Sequence, residues 1–281
     1  MEKKTIITFF YIISLAVYTA DSVQLPGEES VDRVKLFVFG DSYADTGNLP
    51  CSTASSWKQP YGITFPGRPS GRFSDGYVLT DYIASFLGIR SPVPYEWKKM
   101  EEKWIETGMN FAHGGTGVFN TLVDQPNMTA QINFFQQLIQ ENVYARNNLS
   151  SSSLVLVSLA GNDYGTYFTK NGSLEQNLHR LNNETGVSSV FVFLDLYRAF
   201  SSALKLKQND PGNSTFKNGL KPCCLGVNGE GSCGIVDRTG TKEYVVCENP
   251  KQSFFWDSIH PSDQGWRAVY SALKYSLHSL L

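Results

Sequence analysis

At 281 residues, 41% hydrophobic and 18% charged, the chain is long enough for one large α/β domain with a substantial core. A formal net charge of −2 excludes the basic surface that nucleic acid or an anionic membrane would select. Aromatic residues make up 13% of the chain, which excludes a disordered protein.

Residues 1–22 read as a signal peptide. Lys3 and Lys4 supply a basic start, and Ile6 to Val17 an apolar stretch too short for a comfortable membrane span. Ala20 and Ser22 place small residues where a signal peptidase would cut, so cleavage is expected near Ser22. No later segment has the length or apolarity to span a bilayer. Residues 23–281 are expected to form a single domain.

Val34–Phe39 reads as a first buried strand, followed by Gly40-Asp41-Ser42. Cys51–Arg72, rich in Pro, Gly and Ser, is expected to be an irregular surface loop. Asp75–Leu87 has helical spacing and ends at Gly88. Gly108–Ala112 is a short strand candidate running into the glycines at 114, 115 and 117. Met128–Val143 predicts an amphipathic helix with Ile132, Phe135, Leu138, Ile139 and Val143 on one face. Leu154–Leu159 is a second strand, and Leu174–Leu181 a short helix. Val187–Leu196 is a third strand, followed by a helix from Tyr197 to about Lys207. Pro261–Leu281 predicts a closing helix that buries Trp266, Val269, Leu273 and Leu277. Strands alternating with helices imply a mostly parallel sheet covered on both faces.

Five Asn-x-Ser/Thr sequons, at Asn127, Asn148, Asn171, Asn183 and Asn213, fit a secretory glycoprotein when combined with the leader. Four of the five cysteines, Cys223, Cys224, Cys233 and Cys247, cluster in a Gly-rich stretch and read as a disulfide-stapled loop. Cys51 is left over by parity. No Cys-x-x-Cys pair favours zinc, and no cofactor or metal is expected.

Three strand ends carry small or amide residues: Gly40-Asp41-Ser42, Asn110 to Gly115, and Gly161-Asn162-Asp163. A fourth segment, Trp256 to Pro261, sets Asp257 three residues before His260. Taken singly, Ser42 is a turn residue, Asp257 a helix cap, His260 a loop residue and Asn162 a turn residue. Taken together they match acyl transfer, which needs a nucleophile, a base, an acid that orients the base, and oxyanion donors. Ser42, His260 and Asp257 fill the first three roles. The backbone N–H groups of Ser42 and Gly115 and the side-chain amide of Asn162 fill the fourth, with Gly114 as an adjacent alternative to Gly115. The Gly-x-Ser-x-Gly elbow and the P-loop do not occur.

This order resembles the GDSL/SGNH serine esterase and lipase family, in its large plant branch. Phe37 to Ser42 with Asp45-Thr46-Gly47-Asn48 is similar to that family's first block, and Gly71-Arg72-Phe73-Ser74-Asp75-Gly76 to a second plant-type signature. Asn110 to Gly115, Gly161 to Asp163, and Asp257 to Pro261 correspond to its glycine, asparagine and acid–base blocks. The cysteine run ending in Glu248-Asn249-Pro250 also looks like the plant branch. The resemblance implies a three-layer α/β/α, flavodoxin-like fold. It implies Ser42, Asp257 and His260 as the triad, with Ser42, Gly115 and Asn162 lining the oxyanion hole. The implied activity is secreted carboxylester hydrolysis on a small-molecule or lipid ester, with a monomer as the default state. A catalytically impaired member that binds a lipid or glycan, and an acyltransferase using the same triad, are the alternatives.

The chain departs from the family in one place. The resemblance calls for one more strand–helix unit between the asparagine block and the strand at 187–196. Only 25 residues separate Asn162 from Val187, enough for one crossover but not for two and a strand. Either the last strand moves in beside 154–159, or the sheet is left with a gap and reduced stability.

Overall fold

The computed structural model describes residues 12–17, 34–100, 102–145, 149, 153–159, 161–169, 191–205, 216, 219–227 and 233–278. Its main sheet has six strands: β1 (Ile12–Val17), β2 (Lys35–Gly40), β3 (Val93–Pro94), β4 (Gly108–Asn110), β5 (Ser153–Leu159) and β6 (Phe191–Leu194). They lie in the order β3-β4-β2-β5-β1-β6. β2 is central, paired in parallel with β4 through Val38 and Asn110 and with β5 through Val38 and Leu156.

The continuous apolar run of β2 is explained by burial on both faces. Leu36 and Val38 face one core, together with α1 (Leu79–Phe86), α4 (Leu196–Lys205) and α5 (Asp263–His278). Phe37 and Phe39 face the other, with Phe111, Phe135 and Leu138 against α2 (Met128–Gln140). A helix α3 (Gly161–Thr169) follows β5. Two further strands, β7 (Cys224–Gly226) and β8 (Tyr244–Val246), form a small antiparallel pair. Disulfides Cys223–Cys247 and Cys224–Cys233 staple this region, and Cys51 is free and exposed.

The expected helices and strands appear with shifted ends. The closing helix buries Trp266, Val269, Leu273 and Leu277, as its spacing predicts. The helix expected from Asp75 begins at Leu79, because Asp75 and Ser74 are used in loop hydrogen bonds instead. The helix expected at 174–181 lies outside the described residues. The predicted face of α2 needs correction: Ile132 and Val143 are exposed, while Gln131 is fully buried beside Leu138.

The principal difference is β1. It comes from the stretch read as a leader, and it is the one antiparallel strand of the main sheet. Its backbone pairs with β5 over six positions and with β6 over four. Thus β6 neither moves in beside β5 nor leaves a gap; residues 12–17 occupy the position between them.

Cleavage near Ser22 would withdraw β1 and leave both of these ladders open. Removal of residues 1–22 is therefore expected to lower stability by several kcal/mol, at about 1 kcal/mol per lost ladder bond. Urea midpoints of the two lengths check this. Equal midpoints would mean that β6 closes onto β5 without help.

Candidate active site

β2 ends at Gly40 because the chain there is pressed against β5: a Cβ would stand 2.5 Å from the Ser158 carbonyl oxygen. The Asp41 N–H continues the ladder by donating to that oxygen at 3.0 Å. The chain then coils through one turn, with the Ala44 and Asp45 N–H groups donating to the Asp41 carbonyl. The Asp41 carboxylate caps this turn by accepting from the Tyr43 N–H at 3.0 Å. Ser42 sits on the turn at the carboxyl edge of the sheet, where open α/β folds place their sites. The Asp45 carboxylate accepts from the N–H groups of Gly47, Asn48 and, across the sheet, Gly114.

The acid–base segment precedes α5. Asp257 Oδ1 accepts from the N–H groups of Ile259 and His260, which folds residues 257–260 into a tight turn. The Trp256 N–H donates to the His260 carbonyl at 2.7 Å. Cys223 and Cys224 donate their N–H groups to the Phe255 and Trp256 carbonyls, so the stapled region holds the segment from outside. Tyr43 holds it from inside by donating its hydroxyl to the Ile259 carbonyl at 2.6 Å.

These two turns bring Ser42, His260 and Asp257 into one hydrogen-bonded chain. His260 Nδ1 lies 2.8 and 2.9 Å from the two Asp257 carboxylate oxygens, so its proton sits on Nδ1. Nε2 is then an acceptor, and the Ser42 hydroxyl donates to it at 2.8 Å. The three residues are 6–8% exposed, sheltered yet open at one side. Phe73, from the second signature, stacks on the imidazole at 4.8 Å, and Tyr43 meets its edge.

The glycine and asparagine segments meet beside this chain. The His113 N–H and Thr116 hydroxyl both donate to the Gly40 carbonyl at 3.0 Å. Gly115 has φ +82°, a left-handed conformation that favours glycine, and a Cβ there would strike Val123. Asn162 donates one amide proton to the Thr116 carbonyl at 2.9 Å. Its Nδ2 lies 3.5 Å from Asp41 Oδ2, a weak contact that leaves the second proton nearly unused. Asp163 accepts from the N–H groups of Val118 and Phe119, fixing the loop after Gly117. His113 is buried, with its Nδ1 2.8 Å from the Phe111 carbonyl.

Sequence reasoning missed three contributors. Gln131, on α2, accepts from the Gly40 N–H at 2.9 Å and donates to the Gly40 carbonyl at 3.0 Å. Tyr61 donates to Asp257 Oδ2 at 2.7 Å. Asp41 is a buried carboxylate one residue before Ser42. A lone glutamine within an otherwise apolar helical face was the available signal for Gln131; nothing in its own loop marks Tyr61.

Charge is managed differently at the two aspartates. Burial opposes ionisation of Asp257, but the charge of His260 and donors from His260 and Ile259 outweigh it and hold the carboxyl down at about 2. Burial pushes Asp41 up to about 7, against the Tyr43 N–H and the more distant His260. Asp45 is also raised by burial, despite three backbone donors.

A serine–histidine–aspartate chain at the carboxyl edge of a three-layer α/β sheet, flanked by an amide and a glycine turn, defines a serine-hydrolase arrangement. The family described as GDSL-like lipase/acylhydrolase matches residues 36–273. The chain belongs to that family, and so to the serine ester hydrolases. It is 44% identical over 316 positions to a GDSL esterase/lipase of Arabidopsis thaliana, covering 88% of each chain. A second GDSL esterase/lipase of that plant is 41% identical over 350 positions, covering 99% of this chain and 98% of the relative. Acetylajmalan esterase 2 of Rauvolfia serpentina is 26% identical over 330 positions, covering 85% and 88%. The 350 aligned positions exceed the 281 residues here, so at least 69 positions of that relative face no residue of this chain.

Asp41 generates a pH-dependent stability. Its folded value is raised, so between about 4 and about 7 the folded protein keeps a proton that the unfolded chain releases. Its contribution therefore falls as pH rises through that window. Asp41→Asn is expected to match the parent only below about pH 4, and to be more stable than the parent by roughly 1–2 kcal/mol at pH 5 and by up to about 4 kcal/mol at pH 8. Melting curves across pH 5 to 8 check this, and parallel profiles for the two proteins would refute it.

Proposed function

We propose that this chain hydrolyses carboxylic esters through an acyl-enzyme on Ser42. The observation that carries the reading is the unbroken chain Ser42 Oγ, His260 Nε2, His260 Nδ1, Asp257, with every link at 2.8–2.9 Å. Ser42 Oγ attacks the ester carbonyl as Nε2 takes its proton, and Asp257 stabilises the imidazolium that forms. His260 then protonates the departing alkoxide. Water, deprotonated by the same nitrogen, releases the acid and restores Ser42.

The negative oxygen of each tetrahedral intermediate is assigned to the N–H groups of Ser42 and Gly115 and to the amide of Asn162. The second amide proton of Asn162 supports its part, since Thr116 takes only one. A neutral donor suits this place, because it stabilises developing charge without fixing a counter-ion in the ground state. The complete set of polar groups favours hydrolysis over a binding protein that merely kept the cleft.

The same reading includes secretion and glycosylation. The basic and apolar leader with its small residues near Ser22, five sequons and two disulfides all suit the secretory pathway. Among the described residues, no helix is long and apolar enough to cross a membrane. Asn127 caps α2 by accepting from the Ala130 N–H through Oδ1, so a glycan on Nδ2 would leave the cap intact. The other four sequon asparagines, Asn148, Asn171, Asn183 and Asn213, lie outside the described residues.

Ser42→Ala is expected to lower kcat on nitrophenyl esters by about 10⁴-fold or more and to abolish labelling by a fluorophosphonate. A variant that turns over esters like the parent would overturn the assignment. Acyl transfer to an added alcohol in place of water would show as ester product in the same assay. Asn162→Ala is expected to cost about 10²–10³ in kcat with KM little changed, as for loss of one oxyanion donor. An unchanged kcat would remove Asn162 from that role.

A further inference from the structure

Tyr61 sits in the loop that composition describes only as irregular surface. Its side chain is nevertheless buried, packed among Cys223, Cys224, Cys233, Tyr244 and Trp256. The loop is pinned there by the Gly62 N–H donating to the Ser74 carbonyl at 3.0 Å. From this position the hydroxyl crosses 196 residues of sequence to donate to Asp257 Oδ2.

The two carboxylate oxygens of Asp257 are not served alike. Oδ1 is fixed by the backbone of its own turn, through the N–H groups of Ile259 and His260. Oδ2 has two donors, His260 Nδ1 and Tyr61. Because Nδ1 is almost equidistant from both oxygens, the imidazole alone does not choose between them. The tyrosine supplies the missing restraint and draws part of the negative charge away from the imidazole. It acts as a donor throughout, because burial and the charge of Asp257 hold its proton on well above the ordinary tyrosine range.

We propose that Tyr61 is a positioning residue for ester hydrolysis: its hydroxyl fixes the Asp257 carboxylate and sets how tightly the His260 imidazolium is held. The proposal rests on the Ser42–His260–Asp257 reading above. Among the described residues, the titratable groups near this pair include Asp41, whose charge acts on His260, Tyr43, whose ring meets the imidazole edge, and Tyr244, which shares the cluster around Tyr61. Phe73 and Trp256 pack on the two rings without titrating, and the Ser55 side chain hydrogen-bonds to Tyr61.

The test compares two hydroxyls that hold the same turn. Tyr61→Phe removes the one on the carboxylate, and Tyr43→Phe removes the one on the Ile259 carbonyl. kcat/KM requires a neutral imidazole, so activity is lost on the acid side. Without the Tyr61 hydroxyl the carboxylate keeps more charge and binds the imidazolium more tightly, so the acid limb moves to higher pH. kcat is nevertheless expected to fall about 10-fold with KM nearly unchanged, because a carboxylate freed on Oδ2 no longer holds the imidazole aligned on Ser42. Tyr43→Phe loosens the turn without removing a donor from the carboxylate, so it is expected to lower the melting point and to move the limb less than Tyr61→Phe does.

Incorporation of 3-fluorotyrosine at position 61 keeps the packing and strengthens the donor, and is expected to move the limb to lower pH. A limb that stays fixed in both position-61 proteins would overturn the proposal. A parallel proton NMR titration of the His260 Nδ1–H signal, in a Ser42→Ala background, reads the same shift without any turnover. Failure of the esterase reading would silence the kinetic arm only. A signal that titrates alike with and without the Tyr61→Phe substitution would refute the role of the tyrosine by itself.

Discussion

The site depends on how the backbone of one residue, Gly40, is held. Its N–H and carbonyl are both engaged by the side-chain amide of Gln131, as a neighbouring strand would engage them. The same carbonyl accepts from the His113 N–H and the Thr116 hydroxyl, and the Cα packs on the Ser158 carbonyl. Strands β2 and β5, helix α2 and the glycine turn therefore converge on a single residue two positions before the nucleophile. A buried residue with both backbone groups satisfied in one arrangement has little freedom to rotate, since each lost partner would leave a desolvated polar atom. That rigidity is passed to Ser42 through one turn of chain, and to Asn162 through Thr116. The reacting groups come from four separate segments, and this is the point where three of them touch.

The two aspartates nearest His260 show how small differences in donors divide chemical labour. Both are buried. Asp257 has two backbone donors, the imidazole and a tyrosine hydroxyl, and remains charged. Asp41 has one close backbone donor and a long contact to Asn162, and burial prevails. A second full charge beside the imidazole would compete with Asp257 for the imidazolium and would oppose the oxyanion forming nearby. Keeping Asp41 partly protonated near neutrality limits both effects, while its cap on the Tyr43 N–H needs only a lone pair.

How much was legible in the sequence follows from the range of each interaction. The strand before Ser42, the tight Asp257–His260 turn and the helix carrying Trp266 are encoded over a few residues, and their periodicity and spacing can be read directly. The distant blocks that the resemblance sets in order meet in the fold, where His260 lies between Ser42 and Asp257. Gln131 and Tyr61 could not be found in this way, because their meaning lies in partners 91 and 196 residues away. The face of α2 was misjudged for a related reason. Hydrophobic periodicity cannot tell a polar side chain turned to solvent from one turned inward to a strand end, so Ile132 was favoured over Gln131. Likewise, the loop at 51–72 reads as generic from its Pro and Gly content, although it supplies a buried ligand to the triad acid.

The sheet poses the remaining constraint. A strand interior to a sheet must satisfy hydrogen-bonding groups on both edges, and a chain short of one strand cannot do so by adjusting side chains. Here the alignment with a relative exceeds this chain by 69 positions, and the backbone of residues 12–17 lies where β5 and β6 would otherwise face nothing. An apolar stretch selected for export has the composition of a buried strand, so one sequence can serve either purpose. It cannot serve both in one molecule: a leader removed near Ser22 is absent from the sheet, and a leader kept in the sheet has not been cut away. The residues proposed for catalysis stand on the other side of this choice. Ser42, the glycine turn and Asn162 are carried by β2, β4 and the end of β5, and Asp257 and His260 are anchored by Tyr43 and the stapled loop. Among the described residues, the backbone of β1 is joined to that framework by its ladder with β5. Loss of β1 should therefore act first on the stability of the sheet and only through it on the geometry of the triad.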